Sequence, residues 1–408
     1  MPRKAKRDLT IEEQLARGPV DLPFLTLMML LLVVGLVMLL SASYPSAYYN
    51  LDASIDTGGN PYYYFQRQLI FAVMGLVAMF IISKIDYQRY RWMSVLVLGA
   101  AIVLLLLVFT PLGGRGGGAK RWISLFGIRF QPSEIAKVGI ILFFSARLSK
   151  RRDQLKEPKK WNRRTLAGRI GSFLDRIGFL ELIPYGIALL AVLIPIALQP
   201  HMSGMILIVI AAASVLFAAG IRLGWFVAAG TLVIGALTII ITQTEYMTDR
   251  INSWLDPFSD PSVTGYQVIQ SQTAIGSGGL LGVGLGNSKQ KYLFLPEEHN
   301  DFIFAIVCEE LGLIGACIII LLFALLIIRG YWLALHARDR FGTLLIVGIN
   351  TLLAAQVFLN IGVVTGAIPP TGISLPFFSY GGTALMIQLA EMGMILSVSR
   401  QIPAARAG

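Results

Sequence analysis

The chain has 408 residues, of which 55% are hydrophobic and 14% charged, and its mean hydropathy is +0.69. A soluble domain carries about 25% charged residues, so this composition cannot cover a water-facing surface and predicts an integral membrane protein. Cys308 and Cys317 lie nine residues apart in one apolar stretch. That is about 13 Å along a helix, too far for a bridge within it, which excludes disulfide scaffolds, zinc ribbons and thiol redox motifs.

Ten apolar stretches long enough to span a bilayer run at about 23–43, 66–84, 92–110, 133–149, 180–198, 202–220, 223–242, 302–329, 342–365 and 381–399. The first follows Arg3, Lys4, Lys6 and Arg7 and ends near Ser41-Ala42-Ser43, a small-residue run of the kind seen at cleavage sites. It is longer than the core of a secretory signal and reads as a retained anchor. Placing the N-terminus in the cytoplasm puts 25 of the 34 Lys and Arg residues on the inner side. The expected organisation is an all-α membrane protein of ten helices with both termini cytoplasmic. A basic tail (1–22) precedes the membrane domain (23–400), and a short tail (401–408) follows it. The basic cytoplasmic loop at 147–179 reads as a topology determinant that touches anionic lipid heads. It lacks the interleaved aromatics and surrounding module of a nucleic-acid site. No period of 20–50 residues marks a repeat array.

Two outer loops, 111–132 and 243–300, are long enough to hold chemistry, and a third outer segment lies at 366–380. The last is free of charge and rich in Pro and Gly. It reads as irregular, re-entrant backbone, tolerable at membrane depth only when packed on protein or lining a cavity. The first carries Arg115, Lys120, Arg121 and Arg129 on the side that should be poor in cations. Either these snorkel to lipid phosphates, or they bind a diphosphate, whose oxygens match guanidinium forks. GGRGGGAKR lacks the Gly-Lys-Ser/Thr ending of a P-loop. Glu134 and Lys137 stand three apart on one helix face, as a structural ion pair or as part of a cavity.

LPEEHNDFIFAIVCEELG is the segment densest in ionisable groups. Asn300 is placed to cap a helix opened by Asp301, with Glu297, Glu298 and His299 just outside it. Glu309 and Glu310 fall deeper in the same helix, at azimuths that keep both from sharing Asp301's pocket, so one is expected to pair with a neighbouring helix. Glu391 calls for an internal partner, and His201 for a hydrogen-bonded structural role. Asp256 and Asp260 read as turn formers, with a divalent cation as the weaker alternative.

GAKRWI followed by RFQPSEIAK, then DPFSDPSVTGYQVIQSQTAIGSGG, GLGNSKQ, LPEEHNDFIFAIVCEELG and PPTGISLPFFSYGG, in this order, resemble the FtsW/RodA/SpoVE (SEDS) family. GLGNSKQK and SLPFFSYGG are closer to its division and sporulation branch than to the elongation branch. The resemblance implies a multi-pass protein of the bacterial cytoplasmic membrane that polymerises glycan strands from lipid II, a disaccharide-pentapeptide on undecaprenyl diphosphate. Implied partners are a class B penicillin-binding protein acting as transpeptidase and other division or sporulation membrane proteins, with no nucleic acid. It places the catalytic aspartate on Asp301 and sensitive loop positions on Arg121, Trp122, Arg129 and Lys137, with Glu134 beside them. Glu309, His299, Ser379 and Gly381 are candidates for a structural or cavity-lining role. The family often has Thr at position 300 and an acid at 201, where this chain has Asn300 and His201.

The implied chemistry needs positive charge at the departing diphosphate, for which Arg121 and Arg129 are candidates assisted by Lys120 or Lys137. It also needs a base for the acceptor hydroxyl, which falls to Asp301. Inversion at the anomeric carbon needs a single displacement, so one carboxylate suffices. No cofactor is required with certainty, although Mg or Mn could share the diphosphate. A lipid II flippase and a non-catalytic scaffold for the transpeptidase are the alternatives.

Overall fold

The computed structural model describes residues 18–50, 57–111, 113–116, 119–125, 128–150, 179–199, 201–243, 245–261, 265–292 and 294–402. Most of the N-terminal tail, the basic stretch 151–178 and residues 403–408 lie outside them. All ten predicted apolar stretches are helical. In chain order the elements are α1 (Leu22–Tyr48), α2 (Tyr63–Lys84), α3 (Tyr87–Leu107), β1 (Gly113–Gly116), β2 (Ala119–Leu125), β3 (Ile128–Phe130), α4 (Pro132–Leu148) and α5 (Phe179–Leu198). There follow α6 (Met202–Ala218), α7 (Leu223–Gln243), α8 (Glu245–Leu255), α9 (Tyr266–Gly278), α10 (Ile303–His336), α11 (Arg340–Val364) and α12 (Thr383–Ser399). Among the described residues, six helices are long and apolar enough to cross a membrane, and α6, α12 and the first half of α7 are shorter apolar helices.

The packing is that of a bilayer protein. Helix α2 turns Ile70, Val73, Val77 and Phe80 outward, while its packed face carries Gln68, Ala72, Gly75 and Ser83. Bulky side chains face lipid and small ones let backbones approach, as expected where helix association rests on close packing and polar contacts. A Cβ on Gly75 would lie 2.6 Å from Leu389 and 3.1 Å from the Met386 backbone of α12. Helices α4 and α11 form the centre; 14 of the 17 residues of α4 are buried. Ala42 and Ser43 are fully buried in α1, and Ser41 is hydrogen-bonded to Glu310, so the anchor belongs to the bundle.

One end of the bundle gathers cations and the aspartates that cap helices. Asp21 caps α1 and accepts two hydrogen bonds from Arg329, Asp86 caps α3, and Asp339 caps α11 while accepting from Tyr87. The opposite end carries the three long loops. The 111–132 loop departs from the all-helical expectation: β1, β2 and β3 form an antiparallel meander in sequence order. Two-residue periodicity in AKRWISL produces it, burying Ile123 and leaving Lys120 and Ser124 exposed.

Two irregular segments enter the bundle, and both bond their backbone to neighbouring elements. The 366–382 segment dips beside the middle of α1, where a Cβ on Gly35 would lie 2.4 Å from the Phe377 carbonyl. There Phe377 stacks on Phe323 of α10, and its N–H donates to Gln388. Helix α10 is broken at Gly312 (φ 67°, ψ −172°). The freed carbonyls of Glu309 and Glu310 accept from Val283 and Gly284, and the N–H groups of Leu313 and Ile314 donate to Gly279 and Leu280. Bonds to a neighbouring loop thus stand in for the lost helical ones, which is what hydrocarbon surroundings demand.

Gly312 should therefore be irreplaceable, since a Cβ there would sit 2.3 Å from the Gly282 nitrogen. Gly312→Ala is expected to cost at least about 1–3 kcal/mol from backbone conformation alone. Gly99→Ala in α3, where a Cβ meets nothing within 4 Å, should be neutral or stabilise by up to about 1 kcal/mol. Unfolding temperatures of the two purified variants check the contrast.

Candidate active site

Asp301 lies just before α10 at the loop-bearing end. The expected cap is absent: α10 begins at Ile303, Phe302 is its N-cap without a side-chain bond, and the Asn300 amide donates to Glu297. The reason is competition for the backbone. Ser379 Oγ donates to the Asn300 carbonyl (2.6 Å), and Asn360 Nδ2 donates to the Asp301 carbonyl (2.7 Å) and to that of Ile373 (2.7 Å). These bonds hold 300–301 outside the helix, after a left-handed turn at Glu297 (φ 58°).

The flanking residues lock the same segment. Glu298 is hydrogen-bonded by Ser46 of α1 and lies 3.3 Å from His299 Nδ1. The His299 ring packs on Tyr64 at 4.5 Å, and its carbonyl accepts from the Tyr380 N–H. Gln68 of α2 donates to the Ser379 carbonyl and accepts from the N–H groups of Gly381 and Gly382. His299, Ser379 and Gly381 are thus the frame around Asp301.

The Asp301 side chain is half-buried and faces Gly372, where a Cβ would lie 3.7 Å from Oδ2. Burial pushes its carboxyl up to about 7, with Glu297 adding repulsion; its own N–H, Arg250 and His299 pull the other way. Arg250 is fixed by a 2.7 Å bond to the Pro370 carbonyl, and Trp254 by a 2.7 Å bond to that of Gly366. Helix α8 therefore clamps the 366–372 segment beside Asp301. Asn360 Oδ1 and Thr371 Oγ1 are buried there with no hydrogen-bond partner among the described residues.

The meander is joined to this frame by a short bridge. Thr383 Oγ1 donates to the Arg129 carbonyl at 3.2 Å, so Ser379–Thr383 touches Asn300 at one end and β3 at the other. Arg129 and Lys120 are exposed, while Arg121 and Trp122 are half-buried. Arg121 Nε donates to the Gln199 carbonyl at 3.3 Å. Lys137 is set apart from these: it is buried, 2.6 Å from Glu134, and both lie within electrostatic range of buried Glu391 on α12. His201 pairs with Gln131, and burial followed by the charges of Arg121 and Lys137 pushes its imidazole down to about 3, keeping it neutral.

Glu309 and Glu310 belong to a separate device. Glu310 pairs with Lys291 at 2.8 Å and accepts from Ser41 of α1 at 2.7 Å. Glu309 accepts from Ser288 Oγ (2.5 Å) and the Lys289 N–H (3.0 Å). Both carboxylates thus turn to the 283–291 loop, because the break at Gly312 brings that loop against them. Asp256 caps a turn by accepting from the Phe258 N–H. Among the described residues no three His, Cys, Asp or Glu side chains come together, whereas Mg needs only one or two carboxylates beside substrate phosphates. Arg250, Asn360, Gln68 and Lys291 also shape this end of the fold. The last three are polar residues in or beside apolar stretches, a signal the sequence carries.

Residues 22–403 match the FtsW/RodA/SpoVE family, described as a cell cycle protein. A probable peptidoglycan glycosyltransferase FtsW of Geobacter metallireducens is 40% identical over 384 residues, 94% of this chain and 95% of that protein. Stage V sporulation protein E of Bacillus subtilis is 40% identical over 381 residues, 93% of this chain and 97% of that protein. Among solved structures, a chain of a peptidoglycan synthase complex that coordinates polymerization and crosslinking matches with a TM-score of 0.72 at 26% identity, covering 93% of this chain and 98% of that one. The rod shape determining protein RodA of Thermus thermophilus matches with a TM-score of 0.64 at 26% identity, covering 95% and 98%. The chain belongs to the FtsW/RodA/SpoVE family of multi-pass membrane proteins.

The Lys291–Glu310 pair is buried on both sides, so removing one partner strands a charge. Lys291→Met should destabilise the protein by about 3–5 kcal/mol, as for other broken buried pairs. Lys289→Met, at an exposed neighbouring lysine, should stay within about 0.5 kcal/mol. Thermal unfolding in detergent distinguishes them.

Proposed function

We propose that the chain is a peptidoglycan glycosyltransferase that polymerises glycan strands from lipid II during division or sporulation septum synthesis. The observation that carries this reading is the joining of a half-buried carboxyl to a cation-bearing meander through Ser379–Thr383. Both lie at the loop-bearing end, which the distribution of Lys and Arg assigns to the outer face. The names of the FtsW relatives and the match to a chain of a synthase complex support it.

In this mechanism Asp301 takes the proton of the acceptor hydroxyl as that oxygen attacks the anomeric carbon and the bond to the lipid diphosphate breaks. A carboxyl held near neutrality suits this task, since it both accepts and releases a proton at working pH. Arg121 and Arg129, with Lys120, stabilise the charge that develops on the diphosphate. Lys137 and Glu134 act through position: their ion pair anchors the start of α4, on which the meander stands. A class B penicillin-binding protein is the proposed crosslinking partner. The flippase alternative is left with Glu391 alone, because Glu309 and Glu310 are engaged by the 283–291 loop and Ser41.

Asp301→Asn should lower polymer synthesis from lipid II by about 10²–10⁴-fold with an unchanged unfolding temperature. In the wild type the rate should rise with pH through about 7, because the base works ionised. Arg250→Gln removes a cation that favours the carboxylate, so this limb should move to higher pH; Glu297→Gln removes a repulsive charge and should move it lower. A rate–pH series on the purified complex checks both directions. A limb unmoved by either substitution would contradict the assignment of Asp301.

A further inference from the structure

At the basic end, opposite Asp301, residues of α3, α4 and α5 enclose a cavity of about 600 Å³. Among the described residues its polar wall bears Arg91, Arg147 and Lys150 against one carboxylate, Glu181. Its floor includes Tyr185, which is 9% exposed, and its outer lip is Trp92 and Val95, which are 67% and 56% exposed. The outer faces of α3 and α5 around this lip are apolar, with Leu96 and Ile187 pointing outward. The mouth therefore opens where acyl chains would lie.

Depth agrees with this. Arg91 stands four residues into α3, about 6 Å along the axis, and Val95 about 12 Å. Cations at the first turns and an apolar lip one turn deeper match a headgroup above its acyl chains. Arg91 Nε is buried with no hydrogen-bond partner among the described residues, a donor that a buried acceptor would satisfy. The Arg147 guanidinium, exposed at the cavity wall, lies over the Phe143 ring at 5.4 Å.

We propose that this cavity binds the phosphate of an anionic phospholipid, with Arg91 and Arg147 as its principal ligands and Lys150 supporting them. Three cations against one carboxylate among the described residues favour an anionic headgroup over a zwitterionic one. The lipid-facing lip selects a phosphate carried on acyl chains over a soluble one. The assignment is independent of the chemistry at Asp301.

The test is native mass spectrometry of the full-length protein in detergent, loaded with phosphatidylglycerol or phosphatidylethanolamine. Each cation near a membrane surface changes affinity by about fivefold. The wild type should hold phosphatidylglycerol at least about fivefold more tightly than phosphatidylethanolamine. Arg91→Gln with Arg147→Gln should weaken it by about 25-fold, while Arg338→Gln, exposed elsewhere at the same end, should not. Val95→Trp, which narrows the lip without altering charge, should also release the lipid, and it carries the test if the double variant fails to fold. Excess inorganic phosphate should leave the lipid bound. Equal retention of the two lipids, unchanged binding in the double variant or in Val95→Trp, or displacement by inorganic phosphate would each overturn the proposal.

Discussion

The structure depends on one constraint: backbone and charge placed at membrane depth must find partners within the protein. Residues 299–301 meet it through the carbonyl bonds to Tyr380, Ser379 and Asn360. Those bonds keep α10 from starting before Ile303 and hold the carboxyl against Gly372. The same rule explains the splice at Gly312, where a loop supplies the hydrogen bonds that a continuous helix would have kept to itself. Glycines at 278, 282 and 312 permit this, because a Cβ at any of them would meet backbone at 2.1–2.3 Å.

The charges divide into two kinds once their partners are known. Glu134, Lys137, Lys291, Glu309 and Glu310 are spent on internal pairs and hydrogen bonds that fix where elements lie. Asp301, Glu297, Arg250, Lys120 and Arg129 remain near a surface where a ligand can reach them. Lys137 thereby changes standing. In the chain it reads as one more cation near a diphosphate site, whereas in the fold it is buried with Glu134 and has Glu391 close by.

The helices were legible because about 20 consecutive apolar residues leave little choice in a bilayer, and the stretches at 202–220 and 223–242 became α6 and α7 within a few residues. The irregular, deeply placed character of 366–380 was legible from its Pro, Gly and lack of charge. Asn300 was misread as a cap because capping depends on local sequence only until tertiary bonds to Ser379 and Asn360 outcompete it. The meander was hidden by its glycines, which mask a strand pattern confined to AKRWISL. Arg250 was invisible for a different reason: its place beside Asp301 is made by the docking of α8 on Pro370.

Under the proposed function, Asp301 and the cations of the meander serve one substrate. Carbodiimide modification of Asp301, followed by peptide mass spectrometry with and without lipid II, tests it without requiring turnover. Lipid II is expected to shield Asp301 in the wild type, and Arg121→Gln with Arg129→Gln to remove the shielding while the free carboxyl still reacts. Modification that ignores lipid II, or shielding that survives loss of both arginines, would contradict it.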